Sequence, residues 1–98
     1  MAPKTSLIPE ISVLVPVMNE QGNIQPLIDE IVATYSGRKF EIIYVNDASN
    51  DGTRDDLLAA QKRVPQLRVL HHENRSGQSA AVRTALLASH APLIAVLD

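Results

Sequence analysis

The stretch FEIIYVNDASNDGT, residues 40–53, passes from an apolar run directly into small polar and acidic residues. The run Phe40–Asn46 has apolar side chains at both odd and even positions, which is typical of a strand covered on both faces. Asp47 follows at the end of this strand. Thr53 and Asp56 then form a variant of the capping box, which predicts the start of a helix. The stretch therefore predicts a strand, a polar loop and a helix in succession.

The same unit recurs along the chain, so the fold class follows from the order of the elements. Short apolar runs predict further strands at Ile11–Val17, Leu67–His72 and Leu93–Leu97. A stretch with apolar residues at helical spacing follows each of the first three strands. The order β-α-β-α-β-α-β predicts an α/β fold, with a parallel sheet between layers of helices and right-handed crossovers.

Residues that cap and stop helices set the predicted helix ends. Asn23 is the predicted N-cap of the first helix, and Pro26 falls in its first turn, where a missing N–H removes no helical hydrogen bond. Gly37 is predicted to end that helix, and Pro65 the second helix. Ser76 is the predicted N-cap of the third helix.

The composition describes one globular domain and excludes several classes of protein. The chain has 98 residues, of which 45% are hydrophobic, and it carries a net charge of -2. Lys and Arg form no run, so a nucleic-acid partner is not expected. The chain has no Cys, which excludes disulfides and thiolate metal sites. Residues 1–10 are predicted to be a flexible N-terminal segment, and the absence of a signal-peptide pattern predicts a cytoplasmic location.

The loops after the four strands predict where a ligand binds. In a parallel α/β sheet, ligands bind outside the carboxyl ends of the strands, so these loops are expected to meet at one edge. They contain Asn19, Glu20, Asp47, Asp51 and Asp98. Carboxylates alone repel a phosphate, but Mg²⁺ or Mn²⁺ would bind both carboxylate and diphosphate oxygens. A carboxylate such as that of Asp47 can also accept the ring N–H of a uracil or guanine base.

Four ordered motifs resemble the opening half of a glycosyltransferase family 2 enzyme with the GT-A fold. They are ISVLVPVMNE, EIIYVNDASNDGT, NRSG and the terminal LIAVLD. The nearest branch resembles the polyprenol-phosphate sugar transferases, such as dolichol-phosphate mannosyltransferase. The resemblance covers about residues 10 to 98 and implies a three-layer, Rossmann-like sheet with strand order 3-2-1-4. It also implies a nucleoside-diphosphate-sugar donor, GDP-mannose or a UDP-sugar, and polyprenyl phosphate as a candidate acceptor.

The resemblance assigns nucleotide binding to six residues: Pro16, Met18, Glu20, Val45, Asp47 and Asp98. Within this set, Asp47 would contact the base. Asp98 would be the first acid of the D-x-D element, which holds Mg²⁺ or Mn²⁺ and the donor diphosphate. The second D-x-D acid, the catalytic base and the acceptor-binding half are expected beyond Asp98. Residues 11–98 are therefore predicted to be a nucleotide-sugar-binding subdomain that is inactive alone, from a parent enzyme that transfers a hexosyl group, with a candidate location at the cytoplasmic face of a membrane.

Two positions depart from the family pattern. Many relatives have two successive acids after the second strand, whereas this chain has Asn46 and then Asp47, which lowers the local negative charge. Met18 stands where relatives often carry an aromatic residue, so flexible thioether packing replaces a ring contact there.

An alternative hypothesis is a stable α/β module without catalytic activity. Its last strand, LIAVL, would leave an apolar sheet edge, which predicts self-association into a homodimer. A nicotinamide-binding Rossmann domain is disfavoured because the first strand leads into PVMNEQGN, which lacks G-x-G-x-x-G. A phosphoacceptor receiver domain is disfavoured as well, since it requires an acidic pair after its first strand.

Several polar residues also have an interpretation without a ligand. The segment Asp51–Thr53 is interpreted as a turn and a helix cap. His71 and His72 are adjacent on a predicted strand and point to opposite faces, so they are interpreted as edge-strand or surface residues rather than a metal pair. Arg75 and Gln78 lie near a predicted helix N-terminus, where phosphate binding and simple solvent exposure are equally consistent with the sequence.

Overall fold

The computed structural model describes residues 8–97 and contains seven elements in the predicted order. The strands and helices are β1 (Ile11–Val17), α1 (Ile24–Tyr35), β2 (Phe40–Asp47), α2 (Thr53–Arg63), β3 (Leu67–His72), α3 (Gln78–Ala88) and β4 (Leu93–Val96). Within residues 8–97, no helix has both the length and the apolar character needed to cross a bilayer.

The four strands form one parallel sheet in the order β3-β2-β1-β4, which confirms the order 3-2-1-4. Strand β1 pairs with β2 along its whole length, from Ile11 opposite Phe40 to Val17 opposite Asn46. Strand β3 is one edge and pairs with β2 up to His72, which lies opposite Asp47. The carboxyl ends of all four strands therefore lie at the same edge of the sheet.

The two central strands are buried on both faces, as their continuous apolar sequences predict. Val15 and Tyr44 point to the face that is covered by α1 and α2. Leu14 and Ile43 point to the opposite face, where they pack against α3. Full burial of an aliphatic side chain of this size contributes roughly 1.5–3 kcal/mol to folding, so these two packed layers hold the sheet in place.

The ends of α1 follow the prediction in position, although the chemistry at its start differs. Asn23 occupies the N-cap position, but its side chain caps no backbone N–H and instead donates to the Glu20 carboxylate at 3.3 Å. The helix ends at Tyr35, and Gly37 adopts a φ of 89°, a conformation that glycine reaches without steric cost.

The predicted capping box of α2 is wrong. Thr53 is the first residue of the helix itself, and Gly52 occupies the N-cap position. The Asp56 carboxylate accepts the N–H of Gly22 at 2.9 Å, and this donor lies in the loop between β1 and α1. A tertiary contact therefore replaces the local hydrogen bond that the sequence pattern predicts.

The two ends of the chain lie partly or wholly outside the described residues. Of the predicted flexible segment 1–10, only residues 8–10 are described, and Glu10 donates its N–H to the carbonyl of Lys39 at 2.8 Å. Asp98 lies outside the described residues. The residue before it, Leu97, donates its N–H to the carbonyl of Leu14 at 2.9 Å.

Candidate functional site

The loop after β1 and the loop after β2 are joined by hydrogen bonds between side chains and backbone. Asn19 donates its N–H to the Ser49 hydroxyl at 2.9 Å, and its own side-chain oxygen accepts the N–H of Asn50 at 2.9 Å. Asn19 and Ala48 both have positive φ, at 55° and 58°. Asn tolerates this conformation better than most residues. The two loops therefore form one rigid unit at the carboxyl edge of the sheet.

The acidic and hydroxyl residues that follow belong to the same unit. Thr53 accepts the N–H of Glu20 at 2.8 Å and donates its hydroxyl to Asp51 at 2.5 Å. The Asp51 carboxylate also accepts the N–H of Thr53 at 2.9 Å. The hydroxyl bond from Thr53 is the main reason that the pKa of Asp51 is lowered. Asp51 and Thr53 therefore stabilise the turn and the start of α2.

Asp47 is buried, with 4% of its surface exposed, and it holds the loop that leads into α3. One carboxylate oxygen accepts the N–H of Ser76 at 2.8 Å and contacts Nδ1 of His72 at 2.9 Å. The other oxygen accepts the N–H of Gly77 at 2.8 Å. Burial by itself raises the pKa of Asp47, but these hydrogen bonds outweigh it and lower the pKa below its usual value. Asp47 is therefore an ionised side chain within the described site.

This arrangement corrects the predicted cap of α3. The helix begins at Gln78, and Gly77 occupies the N-cap position with a φ of 92°. The Ser76 hydroxyl donates to the carbonyl of Asn74 at 3.1 Å and caps no helical N–H. The Asp47 carboxylate at the end of β2 instead accepts the N–H groups of the two residues before the helix, which brings the start of α3 against the end of the central strand.

A cavity of about 390 Å³ opens at this edge of the sheet, between the end of β1 and the start of α3. It is lined by Pro16, Val17, Met18, Glu20, Asp47, Arg75, Gly77, Gln78 and Ala81. Four of the six residues predicted to bind the nucleotide are in this set: Pro16, Met18, Glu20 and Asp47. They come from the end of β1, the loop after it and the end of β2, so the fold brings together side chains that are up to 31 positions apart in the sequence.

Of the other two predicted residues, Val45 is absent from the cavity lining. Val45 is fully buried, with 0% of its surface exposed, and packs in the core with Ile43 and Ala81 on the α3 face of the sheet. The contact of Val45 with a nucleoside stays a prediction, and the full burial of this side chain does not support it. Asp98 lies outside the described residues, so its predicted roles in nucleotide and metal binding stay predictions too.

For Arg75 and Gln78, the sequence is equally consistent with ligand binding and with simple solvent exposure. It predicts no role for Gly77. All three line the cavity. The available signal was the position of NRSG after a predicted strand, because that loop also leaves the carboxyl edge of the sheet.

His72 was interpreted as an edge-strand or surface residue, and its strand is indeed the sheet edge. Its side chain is only 17% exposed and lies against Asp47. No local sequence pattern indicates this contact, because it depends on the pairing of β3 with β2.

The described residues do not form a divalent-cation site on their own. No group of three or more His, Cys, Asp or Glu side chains within residues 8–97 is placed to hold a metal ion. The carboxylate of Asp47 already accepts hydrogen bonds from two N–H groups. A metal in the family's D-x-D position would need Asp98 and donors beyond the described part of the chain.

The polar and apolar surfaces of the cavity suit a ligand with both a flat apolar part and hydrogen-bonding groups. Pro16 and Met18 supply apolar surface, and Met18 is 41% exposed. Glu20 and Asp47 supply carboxylate acceptors, whereas Arg75 supplies a cation that can bind an oxyanion.

Comparison with known proteins places this site in a family. The family model described as Glycosyl transferase family 2 matches residues 12–98. The chain is 36% identical over 92 residues to a dolichyl-phosphate beta-glucosyltransferase, ALG5C, from Trichomonas vaginalis. That match covers 87% of this chain and 27% of the relative. The chain spans about a quarter to a third of the length of the curated relatives it matches.

Two solved glycosyltransferase structures share the fold. The mannosyltransferase PcManGT from Pyrobaculum calidifontis, in complex with GDP-Man and Mn²⁺, matches with a TM-score of 0.72 and 29% identity, over 90% of this chain and 26% of that one. TarS 1-349 from S. aureus, in complex with UDP, matches with a TM-score of 0.79 and 26% identity, over 91% of this chain and 27% of that one. The four-stranded sheet thus has the arrangement found in GT-A glycosyltransferases, and the chain belongs to glycosyl transferase family 2.

Proposed function

We propose that the cavity at the carboxyl edge binds the nucleoside diphosphate of a nucleotide-sugar donor. The chain would serve as the donor-binding part of a glycosyltransferase, with GDP-mannose or a UDP-sugar as the donor and polyprenyl phosphate as the acceptor. The observation that carries the proposal is the convergence of Pro16, Met18, Glu20 and Asp47 on one cavity. Their loops are tied together before any ligand arrives, so binding requires little further ordering of the backbone.

Asp47 retains capacity to recognise a base. An ionised carboxylate has about four lone-pair positions, and His72, Ser76 and Gly77 occupy three of them. The oxygen that accepts only the N–H of Gly77 has a position left for the ring N–H of a uracil or guanine base. We assign base recognition to this oxygen, while the apolar surface of Pro16 and Met18 packs against the plane of the base.

The remaining polar groups suit the ribose and the diphosphate. Glu20 can accept a hydrogen bond from a ribose hydroxyl, and the guanidinium of Arg75 can bind phosphate oxygens in a bidentate manner. The relative PcManGT binds GDP-Man together with Mn²⁺, and the ALG5C relative is named for transfer to dolichyl phosphate. These names support Mg²⁺ or Mn²⁺ as the cation, which we assign to Asp98, and a polyprenyl phosphate as the acceptor. A bound cation would neutralise negative charge on the diphosphate.

Titration of the chain with GDP and with UDP, followed by NMR chemical shifts, tests the proposed donor site. We expect the largest shifts at Met18, Glu20, Asp47 and Gly77, and we expect stronger binding when Mn²⁺ is added. Inorganic pyrophosphate is the control, because it should perturb Arg75 without perturbing Met18 or Asp47. A folded sample in which neither nucleotide perturbs these residues would contradict the proposal.

A second candidate function is supported by β4, the edge strand on the opposite side of the sheet from β3. Strand β4 pairs with β1 on one side, and no described strand covers its other side. Leu93, Ile94 and Val96 on this strand are exposed by 53%, 38% and 47%. An exposed apolar edge strand favours pairing with another strand. We propose that the 98-residue chain associates with a second copy through β4.

Light scattering tests this association. The unchanged chain is expected to be dimeric and Ile94→Lys monomeric, because a lysine on the edge opposes strand pairing. A chain that stays monomeric at every concentration would contradict the proposal. This outcome would leave the nucleotide site unaffected.

A further inference from the structure

The ring of His72 links three elements that surround the proposed donor site. Its Nδ1 lies 2.9 Å from a carboxylate oxygen of Asp47 at the end of β2. Its Nε2 lies 2.8 Å from the hydroxyl of Thr84 on α3. Both ring nitrogens therefore have a hydrogen-bond partner, and the ring is held between the sheet and the helix that starts at the cavity.

The hydrogen atoms of these partners indicate which ring nitrogen must carry a proton. Asp47 is ionised and can only accept, so Nδ1 of His72 carries a hydrogen. The Thr84 hydroxyl can accept from Nε2 or donate to it, and the carbonyl of Ala80 lies 3.0 Å from the same hydroxyl as an alternative acceptor. Nε2 therefore has a partner in either case, and the contact with Asp47 depends on the proton at Nδ1.

We propose that His72 is a positioning residue of the donor site, whose Nδ1–H holds one carboxylate oxygen of Asp47. The proposal rests on the proposed nucleotide binding and assigns a role to a residue outside the cavity lining. By holding one oxygen of Asp47, the ring leaves the other oxygen directed at Gly77 and at the base.

The same contact fixes the loop that carries the phosphate-binding side chain. Asp47 accepts the N–H groups of Ser76 and Gly77, which directly follow Arg75. If the Asp47 carboxylate rotated, both N–H groups would lose their acceptor and Arg75 would lose its fixed position.

Three variants separate this role from general stability. His72→Gln replaces the rigid ring, which contacts both Asp47 and Thr84, with a flexible amide. Thr84→Val removes only the acceptor of Nε2 and leaves the contact with Asp47. His90→Gln is the matched control, because the His90 side chain is 65% exposed and pairs with Glu41, at the other end of β2.

Two measurements are made on the free chain and one with nucleotide. The ¹⁵N spectrum of the His72 ring is expected to show a protonated Nδ1. In His72→Gln, the amide signals of Ser76 and Gly77 are expected to shift, and the affinity for GDP or UDP is expected to fall about tenfold, as for loss of a hydrogen bond to a charged group. Thr84→Val is expected to weaken binding by about threefold. His90→Gln is expected to leave all three readouts unchanged.

A His72 ring with an unprotonated Nδ1 would overturn the proposal. So would a folded His72→Gln chain with unchanged Ser76 and Gly77 amides and unchanged affinity, even if its melting temperature fell. If His72→Gln does not fold, the ring spectrum of the unchanged chain and the Thr84→Val variant decide the question. If the unchanged chain binds neither nucleotide, the proposed function fails, whereas the positioning role is then decided by the ring spectrum and the two amides.

Discussion

Strand β2 carries a buried carboxylate at each end, and the two differ in what surrounds them. Glu41, at the start, accepts the Ser12 hydroxyl at 2.5 Å, the N–H of His90 at 2.7 Å and a guanidinium N–H of Arg68 at 2.9 Å. Asp47, at the end, is surrounded by His72 and by loop N–H groups. Both carboxylates are ionised hubs that join distant parts of the chain.

The difference between the hubs distinguishes a structural carboxylate from one that can serve a ligand. Glu41 has a permanent cation as its partner, and Arg68 also donates to the carbonyl of Ala88 at 2.7 Å, so this hub ties β3 to the end of α3. Asp47 has a histidine ring as its side-chain partner and lines the cavity that Met18 and Glu20 share. Burial and hydrogen bonding alone therefore do not identify a binding residue. The identity of the partners and the adjacent cavity do.

Glu41→Gln is expected to give the largest loss of stability without any change in nucleotide binding. A glutamine has one acceptor oxygen and an NH₂ group, so it cannot satisfy Ser12, His90 and Arg68 together. We expect a loss of about 3 kcal/mol in the free energy of unfolding, as for a broken buried ion pair. Urea denaturation measures the loss, and GDP titration of the folded variant provides the control. A weaker affinity for GDP would contradict the distinction between a structural Glu41 and a ligand-binding Asp47.

Asp47→Asn is expected to reduce both stability and binding. The asparagine NH₂ group would face either the N–H of Gly77 or the donors from His72 and Ser76, which leaves at least one donor unpaired. We expect a loss of roughly 1–3 kcal/mol in the free energy of unfolding. Nucleotide affinity should fall by about tenfold or more, because the same side chain accepts the base N–H. Calorimetric titration with GDP and UDP would contradict the assignment if the affinity stayed unchanged.

Acid is expected to destabilise the chain through both Glu41 and Asp47. Just below about pH 5, the loss in the free energy of unfolding should be smaller than the loss caused by either substitution. The pKa values of Glu41 and Asp47 are lower in the folded chain than their usual values, so the unfolded chain binds more protons at acidic pH. The stabilising contribution is full above about pH 5 and is lost as the pH falls through the folded values. Urea midpoints across this range should fall less steeply in the Glu41→Gln, Asp47→Asn double variant. Equal slopes would contradict the assignment of lowered pKa values to these two groups.

Met18→Ala is expected to have the smallest effect, and only on binding. The side chain is 41% exposed, so its truncation leaves no large cavity in the core. Loss of its contact with a base should cost about 1 kcal/mol, or about fivefold in affinity. Leu58→Ala, at a residue that is 44% exposed on α2, is the control for truncation of an exposed apolar side chain. Equal affinities of Met18→Ala and Leu58→Ala for GDP and UDP would remove Met18 from the site.

The sequence predicts the layers and the edge on which the site lies, because these follow from local patterns. Continuous apolar runs identify the central strands, and parallel pairing places Glu20 and Asp47 at one edge. The partners of each hub could not be predicted in this way. His72 reaches Asp47 across 25 positions, and His90 reaches Glu41 across 49, so these contacts depend on strand register and not on nearby residues.

The errors at the helix starts have the same cause. The pattern of Thr53 and Asp56 matches a capping box, but a stronger option exists in the folded chain, where Asp56 accepts the N–H of Gly22. Ser76 could cap α3 locally, but the buried carboxylate of Asp47 is available to the adjacent N–H groups. Capping rules describe local sequence. Here, contacts between loops that follow different strands determine which donors and acceptors pair near the starts of the helices.

Intermolecular NOEs between bound GDP or UDP and the chain test the central claim most directly, because they report the position of the base. We predict NOEs from base protons to the Met18 methyl group and to Gly77 or Ala81 at the carboxyl edge. NOEs from the base to Phe40 or the His90 ring, which line the cavity at the opposite end of β2, would contradict the account.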